Sequence, residues 1–149
     1  MFMRPSPPDS ARARFSALRA VRELASCSDK EIWSLLKYTD EVRIGAGDEV
    51  AHEGTPATEF VVVMEGRLRA RSCGALELLG SGAGCGWHAM WERSANRATV
   101  TVEVDARLLV MSHEQFRAVK ALVNFARPQH NELGLGAVAV TRHVSSVSP

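Results

Sequence analysis

The chain has 149 residues, of which 46% are apolar and 23% are charged, and its formal net charge at pH 7 is +1. This length is typical of one globular domain, and no apolar run reaches the roughly 18 residues that a membrane-spanning helix needs. Residues 1–22 carry five arginines and one aspartate, so the rest of the chain is net acidic. Basic charge is therefore confined to the N-terminal end.

The cysteines and the N-terminus indicate the cellular compartment. Cys27, Cys73 and Cys85 are odd in number and lack Cys-x-x-Cys spacing, which argues against a disulfide framework and against a zinc site. The first ten residues are rich in proline and serine and contain no apolar segment of a secretory signal. These features predict a cytoplasmic protein.

Residues 1–9 contain three prolines and are predicted to form a disordered lead. From Ser10, the apolar residues recur with the period of an amphipathic helix, and arginines lie between them. The apolar stripe consists of Phe15, Leu18, Val21 and Leu24. We expect this helix to pack on its own domain with a solvated arginine face; contact with anionic membrane or nucleic acid is the alternative.

A second helix is predicted to begin after Ser28. Ser28-Asp29-Lys30-Glu31 has the capping-box pattern, in which the serine hydroxyl and the glutamate carboxylate each accept a hydrogen bond from the other residue's amide. The helix should run to about Tyr38. Its buried face is expected to contain Ile32, Leu35 and Leu36. Trp33 lies beside that face and is expected to pack there.

After Thr39 the apolar pattern changes from helical to alternating, and glycines recur at short intervals, which is typical of strands in a sandwich or barrel. The predicted strands are 41–44, 49–52, 59–65, 67–71, 75–79, 98–104 and 107–111. Residues 60–64 are apolar on both faces and should be central and covered. Glu65-Gly66 is interpreted as a turn into 67–71, whose alternation indicates one solvated face.

Residues 84–100 combine a glycine-rich turn, a short helix predicted over residues 87–90 and a polar loop before the next strand. Gly84 and Gly86 let the backbone approach a ligand closely, and the first amides of the helix lack intrahelical partners. This order predicts an anion cradle. The alternative is a tight turn without a ligand, because glycine pairs are common in turns.

Ser112-His113-Glu114-Gln115 is a second capping-box pattern, and it predicts a helix that reaches about Ala126. Its buried stripe should contain Phe116, Val119, Leu122 and Val123. Pro128 should end or kink the helix. We therefore place one domain over residues 10–127, followed by a loose tail over 128–149.

Seven segments occur in an order and spacing that resemble the cyclic nucleotide-binding domain family. They are Gly47-Asp48-Glu49-Val50, Glu53-Gly54, the run 60–68, Gly84-Cys85-Gly86, Arg97-Ala98-Thr99-Val100, the strand 108–111 and the helix containing Phe116. The resemblance covers roughly residues 18–123. It implies a mainly β fold with flanking helices, an antiparallel jelly roll between N-terminal helices and a C-terminal helix.

The resemblance also implies the binding chemistry. In ligand-competent members, a glutamate directly after the glycine of the turn binds the ribose 2′-hydroxyl, and an arginine ten positions after that glycine pairs with the cyclic phosphate. Here those positions hold Trp87 and Asn96. Losing the arginine should cost on the order of 2 kcal/mol or more. Arg97 is adjacent, but in an extended segment it would face away unless the loop is shifted.

The candidate ligand-binding set is Gly84, Gly86, Trp87, His88, Ala89, Asn96, Arg97, Ala98 and Thr99. Trp87 is expected to fill the ribose space, and stacking on a base is the alternative. His88 can pair with an anion when protonated, although a locally hydrogen-bonded histidine is commoner. Cys85 is expected to be a buried, inert thiol. The five histidines are scattered without ligand spacing, so no metal site is predicted.

No enzyme motif is present. The leading hypothesis is a stand-alone, non-enzymatic sensor or regulatory module with weak or absent cAMP binding, whose ligand would be cAMP, cGMP or another small anion. The alternative is a degenerate domain that docks a protein partner, or a second copy, through the arginine helix or a Trp87/Trp91 surface. DNA binding by the basic arm is a third hypothesis, and the short segment after Ala126 leaves no room for a DNA-reading domain.

Overall fold

The computed structural model describes residues 10–123, which form a six-stranded antiparallel sheet with four α-helices around it. The elements are α1 (Ser10–Ala20), α2 (Asp29–Leu35), β1 (Asp40–Ile44), β2 (Glu49–Ala51), β3 (Glu59–Ser72), β4 (Ala75–Leu79), β5 (Gly84–Cys85), α3 (Trp87–Glu92), β6 (Thr99–Ser112) and α4 (His113–Lys120). The predicted lead over 1–9 and tail over 128–149 lie outside the described residues. Within residues 10–123, no helix is long and apolar enough to span a membrane.

The N-terminal helices form as their sequence patterns predict. The Ser28 hydroxyl accepts from the Glu31 amide at 3.1 Å, and the Glu31 carboxylate accepts from the Ser28 amide at 2.8 Å. The predicted stripe of α1 is buried at Leu18 and continues through a 3-10 turn over Arg22–Leu24. Trp33 is 46% exposed and stacks on Phe15 with ring centroids 4.5 Å apart. The first helix therefore packs on its own domain against β3, as predicted, and α2 packs against α1.

The sheet is built around two long strands. β3 and β6 pair along most of their length, β1 and β2 join β6, and β4 and β5 join β3. Alternate residues of β3 enter two separate cores: Phe60, Val62 and Met64 pack with the helices, and Val61 and Val63 pack inside the roll. The predictions of a mainly β fold and of a covered central strand over 60–64 are confirmed.

Gly66 is not a turn, because β3 runs through it without a break. Its φ is +92°, and a Cβ at this position would lie 2.3 Å from the Asp105 carbonyl oxygen. The pairing register between β3 and β6 shifts on both sides of it. The glycine signal therefore marks a bulge where β3 presses against β6, and the predicted turn between 65 and 67 was wrong.

The C-terminal helix is shorter than predicted. Its capping box is present, with Ser112 and Gln115 bonded in both directions. However, α4 ends at Lys120, after which the Leu122 amide bonds to the Val119 carbonyl in a tighter turn. This turn places Leu122 in solvent, 65% exposed, so its predicted burial was wrong. Residues 124–126 of the predicted helix lie outside the described part of the chain.

Glu77 gives the fold a pH-dependent stability. Its side chain is buried on β4, opposite Ala70 of β3, and burial raises the pKa of Glu77 from 4.5 to about 7. A carboxyl whose pKa is higher in the folded state stabilises the fold most below its unfolded pKa, and this stabilisation is lost as the pH rises through the folded pKa.

We therefore expect the free energy of unfolding to fall between pH 4.5 and 7 in the wild type, and to fall less steeply in Glu77→Gln. Urea denaturation at a series of pH values measures both slopes. Glu114→Gln, which changes an exposed carboxylate on α4, is the matched control. Parallel pH profiles for the wild type and Glu77→Gln would contradict the prediction.

Candidate ligand site

A cleft opens between the start of β3, β5, β2 and the loop that precedes β6. Its cavity volume is about 40 Å³, and its mouth opens to solvent. Its lining residues are Val50, Ala51, Thr58, Glu59, Val61, Cys85, Gly86, Asn96, Arg97, Ala98 and Val100. Polar and apolar surface contribute almost equally to the lining, and one arginine and one glutamate are its charged residues. Such a cleft can bury the apolar part of a small ligand and orient its polar groups.

Gly86 allows the turn at the closed end of the cleft. Its φ is +91°, and a Cβ here would lie 2.4 Å from the Glu59 carbonyl oxygen. Gly84 also packs closely, because a Cβ there would lie 3.0 Å from the Phe60 ring. Both glycines of the predicted cradle are therefore required by the approach of β5 to β3. Of the two, Gly86 lines the cleft.

The loop before β6 is fastened to the loop between β2 and β3. The Asn96 amide donates to the Thr55 carbonyl at 2.8 Å, and the Asn96 carbonyl accepts from the Gly54 amide at 2.9 Å. The Asn96 side chain donates to the Thr55 hydroxyl at 3.1 Å. A neighbouring bridge joins Pro56 to Ala95. Asn96 therefore holds the loop in place, and its amide group is already used within the protein.

Arg97 lines the cleft next to Asn96. The expectation that Arg97 faces away applied only to an extended segment. Residues 97 and 98 form a bend, and β6 begins only at Thr99. Strand alternation therefore does not apply at Arg97.

Trp87 lies on the other side of the sheet from the cleft. It is 2% exposed and meets Phe60, Phe116 and Trp91 at ring-centroid distances of 5.0, 5.7 and 6.1 Å. Phe60 faces the helices, whereas its neighbour Val61 faces the cleft. Trp87 therefore fills the helical core, so the prediction that it fills the ribose space was wrong. Trp91, by contrast, is only half-buried.

The remaining predicted site residues are buried or hydrogen-bonded within the protein. His88 is 5% exposed, and its Nε2 lies 3.1 Å from a Glu92 carboxylate oxygen. Ala89 is buried beside it on α3. The Thr99 hydroxyl accepts from the Glu53 amide at 3.0 Å. Ala98 is buried and lines the cleft. Of the predicted set, Gly86, Asn96, Arg97 and Ala98 line the cleft.

Cys85 lines the cleft, and burial raises the pKa of its thiol to about 12, with a smaller contribution from the Glu23 carboxylate. A thiol with this pKa stays protonated near neutral pH and is a poor nucleophile. The predicted inert thiol agrees with this environment. Among residues 10–123, no group of histidine, cysteine, aspartate and glutamate side chains is arranged to hold a metal ion.

The sequence did not place Glu59 or Thr55 at this site. Glu59 lines the cleft because it lies two positions before Val61 on the same face of β3. Thr55 fastens the loop that carries Arg97. No local pattern indicates that contact, since the bond from Asn96 to Thr55 joins two loops across 41 positions of the chain.

The fold has relatives among solved structures. The regulatory domain of Toxoplasma gondii PKA, solved with cAMP, matches with a TM-score of 0.68 and 20% identity over 77% of this chain and 46% of that chain. The N-terminal domain of a transcriptional regulator from Streptomyces coelicolor A3(2) matches with a TM-score of 0.64 and 24% identity over 71% and 78% of the two chains. The present chain thus spans less than half of the Toxoplasma chain.

A cyclic nucleotide-binding-like protein from Brucella abortus matches with a TM-score of 0.63 and 18% identity over 72% of this chain and 97% of that one. At these identities the structures establish the shared fold alone. A search of the curated proteins returns no significant match. The sequence profile described as "Cyclic nucleotide-binding domain" matches residues 41–121, which span β1 through α4 and include the whole cleft. The chain therefore belongs to the cyclic nucleotide-binding domain family.

Proposed function

We propose that this domain is a non-enzymatic regulatory sensor that binds a cyclic nucleotide in the cleft, with Arg97 as the partner of the cyclic phosphate. One observation carries the proposal: Arg97 and Gly86 line the same cleft, whose interior is apolar at Val61, Ala98 and Val100. An arginine guanidinium stays charged at any physiological pH and forms bidentate hydrogen bonds with phosphate oxygens. That chemistry fits an anionic ligand with an apolar portion.

The cleft differs from the family pattern at the position whose side chain binds the ribose in ligand-competent members. Position 87 is occupied by a tryptophan that is buried on the far side of the sheet, so no carboxylate is available there for a ribose hydroxyl. A hydrogen bond to a charged group contributes about 1.5–3 kcal/mol. A ligand without any carboxylate partner for that hydroxyl would bind more than tenfold more weakly than one held by both groups. We propose affinity in the micromolar range.

Calorimetric titration with cAMP and cGMP tests the proposal directly. The Toxoplasma domain was solved with cAMP, which supports cAMP as the first ligand. The expected result is saturable heat with a dissociation constant in the micromolar range for at least one of the two. Linear 5′-AMP serves as the control, because it carries a phosphate and the same base without the cyclic ester. Absence of heat at millimolar cyclic nucleotide overturns the proposal.

A role as a protein-interaction piece is the second candidate, and the structure narrows where it would act. Trp87 is buried, but Trp33 is 46% exposed and stacks on Phe15 of α1. Residues Leu18, Val21 and Leu24 are core residues, so removing the N-terminal helices would disrupt the fold rather than a docking surface. Exposed apolar side chains for such a partner include Trp33, Leu76, Val104 and Leu122, and Trp33→Ala tests the Phe15/Trp33 pair in a pull-down.

A further inference from the structure

The cleft carries two opposite charges. Of the residues that line it, Arg97 is the cation and Glu59 is the carboxylate. A carboxylate at the rim repels an anionic ligand unless the ligand offers it a hydrogen-bond donor, since an ionised carboxylate can only accept. The pair therefore fits a ligand that has an anionic group at one end and a hydroxyl or amino group at the other.

The position of Glu59 directs its side chain to the cleft. Glu59 is the first residue of β3, and Val61, two residues on, also lines the cleft, whereas Phe60 between them packs against the helices. Side chains two apart on a strand share a face. The Glu59 carbonyl also touches Gly86, where a Cβ would lie 2.4 Å away. Glu59 is thus adjacent to the turn that closes the cleft.

Glu59 is solvent-exposed, and among residues 10–123 its side chain has no hydrogen-bond or ion-pair partner. Comparable carboxylates on the sheet are engaged: Glu41 and Glu65 bind Arg107. The Glu59 carboxylate is therefore free to accept from a ligand. No contact within the protein has to break before this carboxylate accepts a hydrogen bond from a ligand.

We propose that Glu59 is a specificity-determining residue that accepts a hydrogen bond from a hydroxyl group of the bound ligand. For the cyclic nucleotide inferred above, on which this proposal rests, the donor is the ribose 2′-hydroxyl. Glu59 then supplies from β3 the carboxylate that position 87 lacks. The cleft selects ligands that combine an anion with this hydroxyl and disfavours anions without it.

A comparison of cAMP with 2′-deoxy-cAMP tests the proposal, because the two ligands differ only in the proposed donor. Affinities are measured by calorimetry for the wild type, Glu59→Ala, Glu59→Gln and the control Glu53→Ala. Glu53 is an exposed carboxylate on the neighbouring loop and does not line the cleft. Thermal unfolding of each variant checks that it is folded. If Glu59→Ala does not fold, Glu59→Gln takes its place in the comparison.

In the wild type and in Glu53→Ala, cAMP should bind about threefold to tenfold more tightly than 2′-deoxy-cAMP, the range for a hydrogen bond at a site open to solvent. In Glu59→Ala this preference should disappear, through weaker binding of cAMP. If Glu59→Ala still prefers cAMP over 2′-deoxy-cAMP, the role of Glu59 is overturned while the proposed function stands. Tighter binding of both ligands in Glu59→Ala also overturns it, because the carboxylate would then only repel the ligand. Absence of cyclic-nucleotide binding in the wild type overturns the proposed function and this inference together.

Discussion

Replacing Arg97 with glutamine is expected to weaken cyclic-nucleotide binding by at least tenfold. The guanidinium is the cationic group of the cleft, and its charge-assisted hydrogen bonds to a phosphodiester contribute about 1.5–3 kcal/mol in total. Glutamine keeps a donor but removes the charge. Calorimetric titration with cAMP measures the change, and thermal unfolding checks that Arg97→Gln remains folded.

Arg93→Gln provides the matched control. Arg93 belongs to the same loop and is exposed, but it does not line the cleft. Its replacement changes the net charge of the chain equally, so it should leave affinity within about twofold. Equal losses in the two variants would assign the effect to general electrostatic attraction. Undiminished binding in Arg97→Gln would remove Arg97 from the site.

Gly66→Ala is expected to destabilise the domain by about 3 kcal/mol or more. The new Cβ would lie 2.3 Å from the Asp105 carbonyl oxygen and 2.8 Å from that of Val104. Both are backbone atoms of β6, so relief requires the two central strands to separate. The φ of +92° adds strain of about 1–2 kcal/mol for a residue with a side chain.

Urea denaturation measures this loss, and Gly80→Ala is the control. A Cβ at Gly80 would meet no atom within 4 Å, and the φ of Gly80 is not positive, so alanine there should change stability by less than about 1 kcal/mol. Failure of Gly66→Ala to fold agrees with the prediction when Gly80→Ala folds normally. A stability loss below about 1 kcal/mol in Gly66→Ala would show that β6 yields easily at this point.

Features that depend on residues close together along the chain were predictable from the sequence. Ser28 and Ser112 cap their helices as the spacing indicates, since both partners lie within one helical turn. The covered strand over 60–64 follows from an apolar pattern on both faces. The seven ordered segments were enough to infer the family and the fold, because together they include parts of β2, β3, β5, β6 and α4.

The errors concern long-range contacts. Gly66 looks like a turn residue, but its requirement for glycine arises from β6, about 40 residues away in sequence. The placement of Arg97 depends on the hydrogen bonds that Asn96 makes with Gly54 and Thr55, which counting positions from Gly86 cannot reveal. Trp87 was assigned to the sugar space because it follows Gly86, as a glutamate does in the family, whereas its partners are Phe60 and Phe116.

The pairing of β3 with β6 has a consequence for how the domain folds. Glu59 pairs with Ser112 and Arg71 pairs with Thr99, so every rung of this ladder joins residues that are distant along the chain. Chains dominated by such pairings fold slowly, because the entropy of closing a large loop is lost before the paired strands contribute favourable free energy. The ladder also requires β6, which the ribosome adds after β3, so the sheet can be completed only after β6 has left the exit tunnel.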